Sequence, residues 1–133
     1  MPKIFTSKKQ KIGEFGENIA VTYLVNHGYC VVERNYTKRW GEIDIIAEKD
    51  YKIHFIEVKS VSRERKSTKY TETYRPEENM HPLKLRRMHR TIQTYLTDRE
   101  IPDDVDWQVD LVCVYLDHAK KQAGIQMMRD IIG

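Results

Sequence analysis

The sequence predicts one α/β domain, a single mixed sheet with helices packed on it, in the order α-β-β-β-α-β-β. Two observations carry that expectation. Two segments repeat apolar residues at helical spacing, and five others are short runs of β-branched and aromatic residues. At 133 residues the chain is long enough for one core, so residues 1–133 are read as a single domain.

The first helix opens at a capping-box pair, Ser7 with Gln10, and ends at Gly28. Between them Ile12, Gly16, Ile19, Ala20, Tyr23, Leu24 and His27 form a helical stripe. "YCVVERNY" (29–36) is a first strand, and two more follow at about 40–49 and 52–60. The polar stretch from Ser60 to Asn79 lacks periodicity, contains Pro76 and reads as a mobile basic loop at about 60–79. A second helix covers about 80–98, with Leu85, Met88, Ile92, Tyr95 and Leu96 on its apolar face and Lys84, Arg86, Arg87 and Arg90 crowding its first half. "WQVDLVCVYL" (107–116) is a fourth strand and "GIQMMR" (124–129) a fifth.

Composition narrows the function classes. The chain is 40% hydrophobic and 32% charged, as expected of a soluble, cytoplasmic globular protein. No apolar run approaches the ~20 residues of a membrane span, and the basic N-terminus leads into no apolar signal region. Cys30 and Cys113 sit in strand-like runs and read as buried thiols, and the five histidines show no zinc-ligand spacing. The net charge is only +3, yet more than half of the 23 lysines and arginines fall between Lys52 and Arg99, which makes a local basic surface.

The chemistry gathers on the second and third strands. With Asp50–Tyr51 as a two-residue turn, opposed residues sum to 101, so Asp44 faces Glu57, Glu42 faces Lys59 and Ile46 faces Phe55, all on one face. Ile43, Ile45 and Ala47 then share the other face with His54, Ile56 and Val58. Opposed Cβ atoms lie ~5 Å apart, and two acids that close repel unless a proton or cation separates them. A hard cation such as Mg²⁺ (or Mn²⁺) suits two carboxylates plus phosphate oxygens, and a lysine beside it suits phosphodiester hydrolysis. The competing reading is a set of ordinary ion pairs, Glu42 with Lys59 and Glu57 with Lys59, on a solvated sheet face.

"GEIDIIA" (41–47) followed by "FIEVKS" (55–60) resembles the core motif of the PD-(D/E)XK nuclease superfamily, the restriction-endonuclease-like fold. Together with "GEFGENIAVTYLVNHGY", "ERNY", "PLKLRRMHRTIQTYL" and "VDLVCV", in order from Gly13 to Val114, the chain resembles the YraN-like family of small bacterial proteins related to Holliday-junction resolvases. The resemblance implies that Asp44, Glu57 and the backbone carbonyl of Val58 hold the metal, that Lys59 is the catalytic lysine, and that Glu17 on the first helix adds an acid. A helix-surface glutamate is the equal alternative for Glu17. The chain departs from the pattern in two places. Ile43 stands where the superfamily has proline, and Gln108-Val109-Asp110 replaces a family "RFD", so any role of that arginine is missing or moved; Asp110, mid-strand on the face of Val112 and Val114, reads as structural and hydrogen-bonded. Lys84, Arg87 and Gln93 are candidates for a helix residue reaching the metal.

Arg63, Arg65, Lys66, Lys69 and Arg75, interleaved with Tyr70 and Tyr74, suit phosphate contacts and base stacking, and Lys84 and Arg87 extend that surface. No sequence-reading DNA motif is present, so shape or a branch is what such a surface would recognise. The expectation is a Mg²⁺-dependent endonuclease acting on DNA, with structured or branched DNA and a homodimer as what the resemblance suggests. The alternative is a catalytically silent nucleic-acid-binding or interaction module on the same fold.

Overall fold

A computed structural model describes residues 8–63, 82–117 and 119–131. Helix α1 (Lys8–Asn26) leads into β1 (Cys30–Lys38), β2 (Gly41–Lys49) and β3 (Lys52–Arg63), followed by helix α2 (Pro82–Asp98), β4 (Asp106–Asp117) and β5 (Gln122–Met128). The five strands form one mixed sheet in the order β1-β2-β3-β4-β5. Only β3 and β4 run parallel, as they must when α2 returns the chain between them; the other neighbours are antiparallel. The predicted element order and α/β class are therefore those of the protein. No helix among the described residues is long and apolar enough to cross a membrane.

Alternation along the strands sends side chains to two cores. Ala20 and Leu24 of α1 pack with Tyr29, Ile45, Ala47, Ile56, Val112, Val114 and Leu116. Met88, Ile92 and Tyr95 of α2 pack with Tyr36, Ile43, Ile46, Ile53, Phe55 and Val109. The run Val109–Leu116 is buried throughout because β4 lies inside the sheet and is covered on both faces. Gly28, at φ +89°, ends α1, its amide and that of Tyr29 turning back to the carbonyls of Val25 and Leu24. At the far end of α2, the Tyr36 hydroxyl donates to Asp98 at 2.6 Å, which fastens the helix to β1.

Two expectations change, and one falls outside the described residues. Strand β3 continues through Ser60 to Arg63, paired with β4 as far as Asp117, so the predicted loop begins later than residue 60. Val61 explains the extension, since it packs against the cluster of Leu111, Cys113 and Tyr115. Residues 64–79 of that loop, with Arg65, Lys66, Lys69, Tyr70, Tyr74 and Arg75, lie outside the described residues. Cys113 is buried as expected, but Cys30 is exposed at the start of an edge strand; neither cysteine is in a disulfide.

The β2–β3 turn is the expected two-residue one, with Lys49 opposite Lys52. Asp50 and Tyr51 both have positive φ, +52° and +61°, the pattern of a type I′ turn built without glycine. A non-glycine residue in that region costs ~1–2 kcal/mol, partly offset by the larger unfolded-state entropy of glycine. Tyr51 is fully exposed, so Tyr51→Gly is expected to stabilise the protein by roughly 0.5–1 kcal/mol. Urea denaturation measures this, and a lower midpoint for the variant would show that the tyrosine ring contributes more than its backbone costs.

Candidate active site

The β2–β3 ladder follows the predicted register from Lys49↔Lys52 to Ile45↔Ile56 and ends there. The next residues, Asp44 with Glu57 and Glu42 with Lys59, are not paired as expected. The Val58 amide, which the same register would point at residue 43, donates instead to Asp44 Oδ2 at 2.8 Å. The carboxylate takes the place of a backbone carbonyl, and the two strands part around it.

Strand β1 yields at the same level. Arg34 pairs with Ile45 and Tyr36 with Ile43, while Asn35 between them drops out of the ladder at φ +54°. Asparagine tolerates this left-handed conformation better than most residues. The disturbance shifts the alternation of β2. Ile43 packs with Ile46 in the α2-side core rather than with Ile45 and Ala47, contrary to the expected two-face assignment. Both helices close in here. A Cβ on Gly41 would stand 2.6 Å from Thr91 Oγ1 of α2, and one on Gly16 of α1 would collide with the Ser60 side chain.

The opening is a cavity of about 300 Å³ lined by Gly41, Glu42, Asp44, Glu57, Lys84, Arg87 and Met88. Asp44 and Glu57 meet in it, although not as ladder partners. Burial, and after it the charges of Glu57, Glu17 and Glu42, push the Asp44 carboxyl up to about 8 from an ordinary 3.8, against the pull of the Val58 amide. Lys84 Nζ lies 2.6 Å from Glu57 Oε2, so α2 supplies Glu57 with a cation. Of the three helix candidates, Lys84 is the one in an ion pair with Glu57 among the described residues. Arg87 lines the cavity without an ion pair among the described residues, and Gln93 lines a different one with Thr97, Pro102 and Trp107.

Lys59 is a half-buried β3 residue opposite Cys113, two positions beyond Glu57 and hence on the same face. Among the described residues no ion pair joins it to Glu42 or Glu57, so the solvated-pair reading finds no contact here. Glu17 is neither a plain surface residue nor a free ligand. Its Oε1 accepts hydrogen bonds from Arg34 Nη2 (2.7 Å), Arg34 Nε (3.0 Å) and Asn35 Nδ2 (3.2 Å), and its charge is felt at Asp44. Arg63 is the last residue of β3. Asp110 has the expected structural role, fully buried and bonded to His54 (2.8 Å), the Gln108 amide (2.7 Å) and the backbone N–H of Asp130 (2.9 Å).

A divalent cation finds oxygen donors in this cavity. Among the described residues no group of three or more His, Cys, Asp and Glu is placed to hold a metal. Two carboxylates and a carbonyl remain, and Mg²⁺, which keeps several waters, asks for little more. The N–H and C=O of a strand residue project to the same side, so Val58 turns its carbonyl towards the opening that its amide shares with Asp44. The Lys84 ammonium on Glu57 marks where positive charge is favoured. The residues fit the ion.

Sequence reasoning missed Arg34, Asn35 and Trp40. The first two lie in "ERNY", where an asparagine inside a strand was the available signal of an irregular backbone. Trp40 Nε1 and Ser60 Oγ are buried side-chain polar atoms without a hydrogen-bond partner among the described residues, and they adjoin Gly41 and Lys59 respectively.

Fold and site define the class: an α/β protein with a five-stranded mixed sheet that parts around an acid pair. The chain belongs to the Uncharacterised protein family UPF0102, the YraN-like family, which it matches over residues 16–114. It is 42% identical over 105 residues to a UPF0102 protein of Campylobacter hominis, covering 79% of this chain and 84% of that one. A UPF0102 protein of Caldicellulosiruptor bescii is 32% identical over 121 residues, 91% of this chain and 96% of its own.

The raised Asp44 carboxyl gives a pH prediction for the metal-free protein. Ionising Asp44 costs more in the folded than in the unfolded chain, so its stability contribution is whole below about pH 4 and is lost as pH rises through about 8. Asp44→Asn keeps an acceptor for the Val58 amide and removes the ionisation. Between about pH 5 and about pH 8.5 the wild type should lose stability relative to this variant, on the order of a few kcal/mol. Urea midpoints with chelator present measure it, and parallel pH profiles would refute the assignment.

Proposed function

We propose that this protein is a metal-dependent endodeoxyribonuclease with a restriction-endonuclease-like site at Asp44, Glu57 and Lys59. The observation that carries the reading is the Asp44 carboxyl, held between the Val58 amide and the charge of Glu57 where the sheet opens. An acid kept in so unfavourable a place is better explained by a task than by stability. The likeness of "GEIDIIA" and "FIEVKS" to the superfamily motif supports the same assignment.

In this reading Asp44, Glu57 and the Val58 carbonyl hold Mg²⁺ (or Mn²⁺), which when bound polarises the phosphodiester and acidifies water. Lys59, on the face of Glu57, orients the attacking water or balances charge growing on the phosphoryl oxygens. Glu17, fixed by Arg34 and Asn35, adds negative charge behind Asp44 and favours a cation there. Lys84 and Arg87 meet the phosphate backbone at the cavity wall, and the basic residues of the sequence from Arg63 to Arg75 belong to the same DNA contact. Branched or junction DNA as substrate, and a homodimer as the acting form, belong to the same proposal.

One observation favours a second reading. Lys84 already satisfies Glu57, which suits a DNA-binding module that no longer cuts. Cleavage of linear, flapped and branched DNA in Mg²⁺, set beside binding in Ca²⁺, separates the two. The Asp44→Ala, Glu57→Ala double variant should bind and not cut. Lys59→Met should slow single-turnover cleavage at least ~100-fold while affinity in Ca²⁺ holds within a few-fold. Cutting by the double variant at the wild-type rate would place the active site elsewhere, and binding without cutting by the wild type would favour the silent module.

A further inference from the structure

One feature beside the cavity has no part in the chemistry above. Trp40 lies in the turn between β1 and β2, directly before Gly41 of the cavity wall, and the Arg90 guanidinium sits over its ring at 4.3 Å from the centroid. Arg90 and Arg87 are three residues apart on one flank of α2, about 4.5 Å along the helix axis. Since Arg87 lines the cavity, the Trp40–Arg90 pair lies only a nucleotide or two from it, at ~3.4 Å of rise per stacked base.

No carboxylate pairs with Arg90 among the described residues. Arg34, Lys84 and Arg99 each hold a carboxylate, on Glu17, Glu57 and Glu33. Arg90 is exposed and, among the described residues, its guanidinium meets only the indole. Arg39 and Arg86, also exposed, likewise have no ion pair among the described residues. A guanidinium steadied on an aromatic ring is a flat cationic plate, and such planes stack nucleobases. A fully paired duplex offers no base face to a plate at its side; an unpaired nucleotide does.

We propose that Trp40 and Arg90 form a stacking seat for an unpaired DNA base one or two nucleotides from the phosphodiester that a metal at Asp44 and Glu57 would engage. The substrate of the site is then DNA with a single-stranded nucleotide beside the bond to be cut, a flap or gap rather than a continuous duplex. This deepens the nuclease reading and rests on it. Trp40 and Arg90 are positioning residues in this scheme, since neither reaches the reacting atoms.

The test uses the full chain in Ca²⁺ with two probes, a linear duplex and the same duplex carrying a short oligo-dT flap. Arg90→Lys keeps the charge and loses the plane; Trp40→Leu loses the ring beneath it. Each variant should bind the flapped probe roughly tenfold more weakly than wild type, about the loss of one stacked base, and bind the duplex within twofold of wild type. In a Trp107→Phe background Trp40 is the remaining tryptophan, and its fluorescence should be quenched by the flapped probe and not by the duplex. Thermal melts confirm that each variant is folded. Equal losses on both probes would make the pair a plain phosphate contact and overturn the seat, and so would no loss on either. If wild type cuts DNA yet shows no preference for the flap, the seat fails and the nuclease reading stands. If wild type neither binds nor cuts either probe, both fail.

Discussion

The hydrogen bond from the Val58 amide to the Asp44 carboxylate is the contact on which the site depends. A sheet interior normally closes its own hydrogen bonds, because an unsatisfied backbone group there is expensive. Here a side chain does what the next rung of the ladder would have done. Two consequences follow together. The strands are free to part beyond Ile45 and Ile56, which makes room for a cavity, and Asp44 is held half-buried where water does little to support its charge. The bond lowers the cost of ionising Asp44, yet burial and the neighbouring acids outweigh it.

The surrounding structure maintains that arrangement from both faces. Gly16 and Gly41 let α1 and α2 approach more closely than any side chain would allow. The close approach of α2 carries Lys84 to Glu57, and that of α1 carries Glu17 to Arg34 and Asn35. Asn35 is a link between the two levels of organisation. Its backbone leaves the ladder beside Asp44 at positive φ, and its side chain helps fix an acid whose charge Asp44 feels. Backbone strain of this kind persists where its surroundings over-determine it, here two helices and three strands.

Most of the fold was legible because periodicity reports burial. The α2 stripe of Leu85, Met88, Ile92, Tyr95 and Leu96 faces the core as the spacing required, and the Asp50–Tyr51 turn set the β2–β3 register for five successive pairs. The site was legible in part. Asp44, Glu57 and Lys84 share a cavity, but the expected direct opposition of Asp44 with Glu57 assumed a ladder that continues. Alternation cannot announce where a strand stops alternating, so it places Ile43 with Ile45 and Ala47, whereas the side chain packs with Ile46 on the α2 side. Nor could it reveal that Glu17 is clamped, since Arg34 and Asn35 lie far from it in sequence and meet it only through the sheet. Trp40 gave no signal, because one tryptophan before a glycine has no period, and its meaning comes from an arginine fifty residues away.

The ion pairs also indicate how the site would respond to a cation. Glu17 is balanced by Arg34 and Glu57 by Lys84, while Asp44 has the Val58 amide and no ion pair among the described residues. Asp44 is therefore the acid with most to gain from a new positive charge, because burial makes its ionised form costly and a cation would relieve that cost directly. Glu57 is paired with Lys84 through Oε2, which leaves Oε1 to serve the same ion, and the lysine at the wall of the cavity of about 300 Å³ faces whatever anion enters with it. A phosphodiester is such an anion. The pairing of Lys84 with Glu57 thus has two physical meanings under the nuclease reading. Without substrate it stabilises an otherwise crowded set of acids, and with substrate the same ammonium is already within reach of the phosphate it would balance.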